Sequence, residues 1–146
     1  MSQAREPDPL SENLGYLLKV ASTALHAAME AALRPAGLTL SQFSCLELLS
    51  RTPDQTNAQL ARGAFVTPQS MNEVLQGLQR RGLVERPDAP ESGRARPTRL
   101  TAQDRLATNR ARAALADVDS TIKRIASQRP HLVGDLRAIA DALTNS

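Results

Sequence analysis

The hydrophobic pattern of this 146-residue chain changes its period at Gly82. Before Gly82, apolar side chains recur every three or four residues, which is the spacing of α-helices with one buried face. After it, residues 83–86 and 98–100 have the composition of two short strands. The stretch between them, residues 87–97, is rich in proline and arginine and predicts a loop. The pattern therefore predicts a mainly α chain with one β-hairpin whose tip is long and basic.

Capping residues mark the ends of the predicted helices in the first half of the chain. Threonine followed three residues later by glutamine forms a capping box, in which each side chain accepts a hydrogen bond from the other residue's backbone N–H. Proline directly after threonine is also typical of a first helical turn, because the N–H that proline lacks would be unpaired there. The predicted starts are Ser11, Thr39 with Gln42, Thr56 with Gln59, and Thr67 with Pro68, and the predicted ends lie at Pro35, Gly37, Pro53 and Gly82.

Helix, short helix, tight connection, helix and hairpin follow one another in the order of a winged helix-turn-helix. The connection, residues 65–67, is short enough for the helix at 68–81 to project into a DNA major groove. That helix has an apolar side for the core and a polar side whose amides and carboxylate match base edges; an ordinary solvent-exposed face is the alternative. The residues predicted to contact DNA here are Thr67, Pro68, Gln69, Ser70, Asn72, Glu73 and Gln76.

Positive charge is concentrated around the predicted hairpin. Residues 80–112 hold nine arginines against four carboxylates, in a chain whose net charge is +3, and such a local field attracts phosphate. Arg94 and Arg96 lie two residues apart, so in an extended hairpin both side chains point toward the same groove or its phosphates. A solvated loop is the alternative. Three aromatic residues are few for a protein that stacks single-stranded bases, so the predicted partner is double-stranded DNA.

The two ends of the chain carry more apolar surface than the middle needs. After Thr101, which is predicted to cap one long helix, apolar residues between positions 111 and 125 step by four, three, four and three. Pro130 ends that helix, and a final amphipathic helix follows. Because exposed apolar stripes favour association, we expect a homodimer. The expected regions are a flexible arm at 1–10, helical dimerisation segments at 11–36 and 102–146, and a winged helix-turn-helix at 37–101.

Cysteine usage and missing motifs exclude several classes of protein. Cys45 is the only cysteine, so no internal disulfide forms. No apolar leader or membrane span is indicated, and a cytoplasmic protein without a membrane partner is predicted. The chain has no HExxH, no paired-cysteine metal spacing and no glycine-rich phosphate loop, so no catalytic residue, metal or cofactor is predicted, and the chain is not expected to be an enzyme. A helical protein-interaction module without specific DNA binding is the alternative function. Such a module does not need Arg94 and Arg96, so loss of both should leave its activity intact.

Three stretches of the chain resemble the MarR (multiple antibiotic resistance regulator) family of transcription factors. They are residues 37–43, residues 58–62, and residues 78–86 with 93–95 and 99–101 after them. The resemblance covers almost all of the chain from Leu14 to Leu143. It implies a homodimeric, ligand-responsive repressor, with one winged module per subunit, that binds a near-palindromic operator.

The resemblance also implies an effector, a small anionic or aromatic molecule that enters a cleft between the dimerisation and DNA-binding parts and weakens DNA binding. The residues predicted to lie nearest this cleft are Tyr16, His26, Phe43 and Cys45. Plain core filling is the alternative for Phe43 and Cys45. The position of Cys45 does not match the redox-sensing members of the family, so peroxide sensing is not predicted.

Overall fold

Seven α-helices and one two-stranded antiparallel sheet form the part of the chain that the computed structural model describes, residues 9–86 and 97–145. Short 3₁₀ helices at Leu10–Glu12 and Arg34–Ala36 flank the first α-helix. In the sheet, Val84 pairs with Leu100 and Glu85 with Arg99. The elements are α1 (Leu14–Leu33), α2 (Leu40–Arg51), α3 (Asn57–Gly63), α4 (Pro68–Arg80), β1 (Val84–Glu85), β2 (Arg99–Leu100), α5 (Asp104–Ala114), α6 (Ala116–Ala126) and α7 (Leu132–Thr144).

The predicted caps of the three central helices are confirmed. Thr39 Oγ1 accepts from the Gln42 N–H at 3.1 Å, and Gln42 Oε1 accepts from the Thr39 N–H at 3.0 Å. Thr56 and Gln59 form the same reciprocal pair at the start of α3. Thr67 Oγ1 accepts from the Ser70 N–H at 3.1 Å, with Pro68 in the first turn of α4. These starts are set by residues three apart in sequence, so local chemistry suffices to place them.

Two predicted helix starts are wrong. Asn13, not Ser11, caps α1: its side chain accepts from the Tyr16 N–H at 2.9 Å, and its backbone is extended as a cap requires, whereas Ser11 lies inside the 3₁₀ turn. Thr101 does not cap α5. Its hydroxyl donates instead to the Gly82 carbonyl, which joins the end of β2 to the turn after α4, and α5 begins at Asp104.

The predicted long C-terminal helix is divided in two. α5 ends at Ala114 and α6 begins at Ala116, with Leu115 between them at φ −85° and ψ −4°. Leu115 is buried in the core, whereas α6 has no buried residue. The turn therefore lets α5 lie on the core while the chain beyond Leu115 leads away from it.

The hydrophobic core lies in the middle of the chain and is built mainly from α2, α3, α4, β1 and α5. Its fully buried leucines and methionine come from α2 and from the two helices of the helix-turn-helix, α3 and α4, and α1 contributes only its last residue, Leu33. α6 and α7 have no buried residue. The core members are Leu33, Leu38, Phe43, Cys45, Leu46, Leu49, Leu60, Ala61, Met71, Leu75, Leu78, Leu83, Val84, Ala111 and Leu115.

The terminal helices leave apolar side chains in the open. α1 and α7 together line a hollow of about 740 Å³ whose walls are mostly leucine, isoleucine and alanine. Within residues 9–86 and 97–145, no helix is long and apolar enough to cross a membrane. The residues around the hollow are Leu14, Leu17, Leu18, Ala21, Leu132, Asp135, Leu136, Ala138 and Ile139.

Candidate nucleic-acid interface

α3 and α4 are joined by a four-residue turn that holds them as one unit. The Ala64 N–H donates to the Leu60 carbonyl at 2.9 Å, and the Val66 N–H donates to the Ala61 carbonyl at 3.0 Å, so backbone bonds close the turn. Phe65, between them, has a left-handed backbone with φ 57°. From the other side, the Asn57 side chain donates to the Pro68 carbonyl at 3.1 Å, which joins the two helix starts. These contacts fix the direction in which α4 leaves the turn.

The two faces of α4 differ sharply in burial. Met71, Leu75 and Leu78 are fully buried and attach the helix to the core. Of the residues predicted to contact DNA, those at the first turn and along the outer stripe are exposed, and Asn72 is half-buried. The exposed ones are Thr67, Pro68, Gln69, Ser70, Glu73 and Gln76. Gln69, Glu73 and Gln76 are spaced four and three residues apart, so they form one continuous stripe.

Some of these polar groups already have partners within the protein. Thr67 Oγ1 donates to Ser70 Oγ at 3.0 Å and accepts from the Ser70 N–H, so both hydroxyls serve the cap. Asn72 Oδ1 accepts a hydrogen bond from the Arg86 guanidinium at 3.3 Å. Arg86 follows β1, so this bond joins the base of the hairpin to the middle of α4. The amide NH₂ group of Asn72 can still donate a hydrogen bond to a base.

The base of the hairpin is fixed to the loop before α3. The Thr98 N–H donates to the Gln55 carbonyl at 3.0 Å. The Arg99 guanidinium pairs with Asp54 at 2.7 Å, and this hydrogen bond raises the pKa of Arg99. Arg94 and Arg96, the predicted groove-binding residues of the tip, lie outside the described residues. The structure thus describes the base of the hairpin, and not its tip.

Several of the arginines that give the hairpin region its positive charge form hydrogen bonds or ion pairs within the protein. In addition to Arg86 and Arg99, Arg112 pairs with Glu47 of α2 at 2.7 Å. Arg81 donates to the Gly37 carbonyl at 2.6 Å, which joins the end of α4 to the turn before α2. Of the seven arginines that the structure describes in residues 80–112, four therefore have the structural partners named above, which a count of charges along the chain does not reveal.

The four residues predicted near an effector cleft occupy two different environments. Tyr16 and His26 are exposed on α1, ten residues or about 15 Å apart along the helix. His26 lies 3.9 Å from Glu30, whose carboxylate also accepts from the Leu40 N–H at 3.0 Å. Phe43 and Cys45 are buried on α2. None of the four lines the hollow between α1 and α7, and their part in effector binding stays a prediction.

Cys45 is expected to be unreactive in the folded protein. Burial raises the pKa of its thiol to about 12, and the negative charge of Asp104 adds to the shift. Because the thiolate is the nucleophile, the native protein should resist iodoacetamide at pH 7.5 while the protein in guanidinium chloride is alkylated at once. Mass spectrometry of the two samples measures this difference, and rapid alkylation of the native protein would contradict it.

The fold and the exposed face of α4 together define a winged helix-turn-helix DNA-binding protein. A sequence model of the MarR family matches residues 36–95. The HTH-type transcriptional repressor Rv2887 of Mycobacterium tuberculosis is 46% identical over 109 residues, which are 75% of this chain and 78% of that relative. The chain therefore belongs to the MarR family of transcriptional regulators, and the resemblance found in its motifs is confirmed.

Two solved structures share this fold over nearly the whole chain. The transcriptional repressor CouR, bound to a 23-mer DNA duplex, has a TM-score of 0.80 at 28% identity, and the match covers 94% of this chain and 99% of CouR. The Mycobacterium tuberculosis protein Rv2887, in complex with salicylic acid, has a TM-score of 0.69 at 40% identity, with 92% and 98% covered. The predicted mainly α, winged helix-turn-helix fold is thus confirmed.

The sequence did not single out Phe65 or Arg86. Phe65 is predicted only as part of the tight connection, although an aromatic residue two positions before a threonine cap falls outside the apolar stripe of either helix. Arg86 is predicted only as the end of the first strand and as one of the nine arginines of residues 80–112. Its contact with Asn72 joins residues 14 apart, and no local pattern predicts such a bond.

Proposed function

We propose that this protein is a homodimeric, ligand-responsive transcriptional repressor that binds a near-palindromic operator in double-stranded DNA. The observation that carries the proposal is the division of α4 into a fully buried apolar side and an exposed polar stripe, Gln69, Glu73 and Gln76. A helix that is held rigidly on a core with such a stripe outward can read base edges in a major groove. CouR, with which the chain shares its fold, is a repressor bound to a DNA duplex.

The roles of the DNA-contacting residues follow from their surroundings. Gln69, Glu73 and Gln76 would read bases, with Asn72 offering its amide nitrogen. Thr67, Pro68 and Ser70 would shape the helix start and meet the backbone, since N–H groups at a helix N-terminus attract phosphate. Arg94 and Arg96, at the hairpin tip, would bind in the adjacent minor groove. In this scheme the protein acts by binding and not by catalysis, in the cytoplasm where bacterial DNA lies.

Binding to selected DNA tests this function. A duplex enriched from a randomised pool by the wild-type protein should be bound at least about a thousandfold more tightly than random DNA, and more weakly as salt rises. Gln69→Ala and Asn72→Ala should each cost about 1–3 kcal/mol and relax the preference at one position of each half-site. Arg94→Ala should weaken binding to all sequences and lower the salt slope by about one.

Gln128→Ala is the matched control, because Gln128 is exposed beyond α6 and far along the chain from α4. Affinity for the selected duplex no greater than for random DNA would overturn the proposed function. An unchanged preference in both helix variants would show that another face of the protein reads the bases.

The effector is the second part of the proposal. Because Rv2887 has been solved in complex with salicylic acid, sodium salicylate is a suitable probe for a small, anionic and aromatic ligand. We expect salicylate to release the selected duplex, and His26→Ala or Tyr16→Phe to raise the concentration that is needed. DNA binding that does not respond to salicylate would remove this small aromatic acid from the candidates, and a response unchanged in both variants would place the cleft elsewhere.

A further inference from the structure

Phe65 is the most exposed large apolar side chain of the described residues, at 95% of its full accessible surface. Its backbone is left-handed, with φ 57°. The left-handed conformation is sterically unfavourable for a residue with a Cβ. Glycine adopts it without this penalty, and asparagine adopts it with a smaller one. The position thus combines an unfavourable backbone with a side chain that is left almost wholly in water.

The fold itself does not depend on the phenyl ring. The turn is closed by backbone groups: the Phe65 N–H donates to the Arg62 carbonyl at 3.3 Å, and the Val66 N–H to the Ala61 carbonyl at 3.0 Å. The neighbours in sequence, Ala64 and Val66, are half-buried and make the contacts to the core. Removing the ring should therefore leave the helix-turn-helix intact.

Phe65 lies close to the N-terminal end of α4, the end that in a helix-turn-helix enters the DNA. Phe65 precedes Thr67, the cap of α4, by two residues, so their Cα atoms are at most about 7 Å apart. In a helix-turn-helix the N-terminal residues of the second helix meet the base edges of the major groove, which is about 12 Å wide. In that docking geometry, a side chain just before the helix start would stand at the edge of the groove. Arg62, exposed on the last turn of α3, supplies a cation suited to the phosphates there.

We infer that Phe65 packs against the C5 methyl group of a thymine at the edge of each half-site, and so acts as a specificity-determining residue. This inference rests on the proposed function. The thymine methyl is the apolar group that the major groove presents, and contact with it would cover a ring that the protein alone leaves in water. Phe65 would add a preference for thymine to the readout by the polar stripe of α4.

Substitution at Phe65 should move stability and DNA affinity in opposite directions. Phe65→Asn suits the left-handed backbone better, so its melting temperature should be higher than that of the wild type. Its affinity for the duplex that the wild-type protein enriches from a randomised pool should be about tenfold weaker, as expected when a partly buried phenyl contact is lost. Phe65→Gly is the second variant, because it removes the ring without adding an amide that contacts DNA.

Replacing each thymine of that duplex in turn by uracil, which lacks the methyl group, locates the contact. At one position in each half-site, uracil should weaken binding by the wild type and leave binding by both Phe65 variants unchanged, since the two changes remove the same interaction. Equal affinity of the wild type and both variants, or a wild type indifferent to every uracil, would overturn the inference. A wild type that enriches no sequence at all would instead overturn the proposed function, so the two failures are distinguishable.

Discussion

A Leu136→Asp variant should be a monomer that no longer binds its operator. Leu136 lies on the wall of the hollow between α1 and α7 and is 44% exposed in the single chain. If a second copy covers this apolar face, the new carboxylate is buried twice in a symmetric dimer, and each buried, unpaired charge is strongly destabilising. We expect the dissociation constant of the dimer to rise at least about a hundredfold, which corresponds to about 2.7 kcal/mol. Sedimentation equilibrium measures it directly.

The matched control places the same carboxylate on the other side of the same helix. Arg137→Asp changes a residue that does not line the hollow, and dimerisation should be retained. Because α7 has no buried residue, neither variant should lose the core of the monomer. The circular dichroism spectrum should therefore show folded helices in both. A Leu136→Asp protein that stays dimeric would exclude α7 from the subunit contact.

Leu75→Ala should destabilise the whole winged helix-turn-helix by about 2–5 kcal/mol, the range found when a buried leucine is truncated and a cavity is left. Leu75 has no exposed surface and belongs to the core that joins α4 to its neighbours. Since total stabilities are about 5–15 kcal/mol, this one change should remove a large part of the folding free energy. Urea unfolding at a fixed protein concentration measures it, because dimerisation makes the stability concentration-dependent.

Gln76→Ala is the comparison for Leu75→Ala, one residue further along the same helix and exposed. It should change stability by less than about 0.5 kcal/mol, as surface substitutions usually do, while altering DNA preference. The two variants thus separate the side of α4 that holds the fold from the side that faces the groove. Comparable losses of stability in both would contradict this division.

Local signals predicted most of the fold, because most element boundaries here are set by neighbours in sequence. The two capping boxes and the Thr67 cap join residues three apart, and Gly82, with φ 71°, stops α4 by a conformation that favours glycine. The first cap was misplaced because Ser11 and Asn13 have similar chemistry, and only the conformation after Pro9 distinguishes them. The break at Leu115 was missed because the apolar steps continue through it unchanged.

The candidate interface was predicted less completely than the fold, since its details depend on contacts between distant segments. The polar stripe of α4 follows from helical periodicity alone. The partial burial of Asn72 cannot be predicted from periodicity, because Asn72 is contacted by Arg86, which follows β1 and is 14 residues away in sequence. The same holds for Arg81, Arg99 and Arg112, whose charges are engaged by partners 44, 45 and 65 residues away. Sequence reveals that charge is present, and packing determines how much of it faces outward.

The bond from Arg81 to the Gly37 carbonyl has a geometric consequence for the assembled regulator. It joins the C-terminal end of α4 to the turn that follows α1, and so links the direction of α4 to that of the first helix. α4 spans 13 residues, or about 20 Å, and a rotation of about 10° about its fastened end swings the other end by about 3.5 Å. That distance is one base step of the duplex. The angle at which two first helices cross in a pair of subunits would thus set the operator spacing that both reading helices can meet at once.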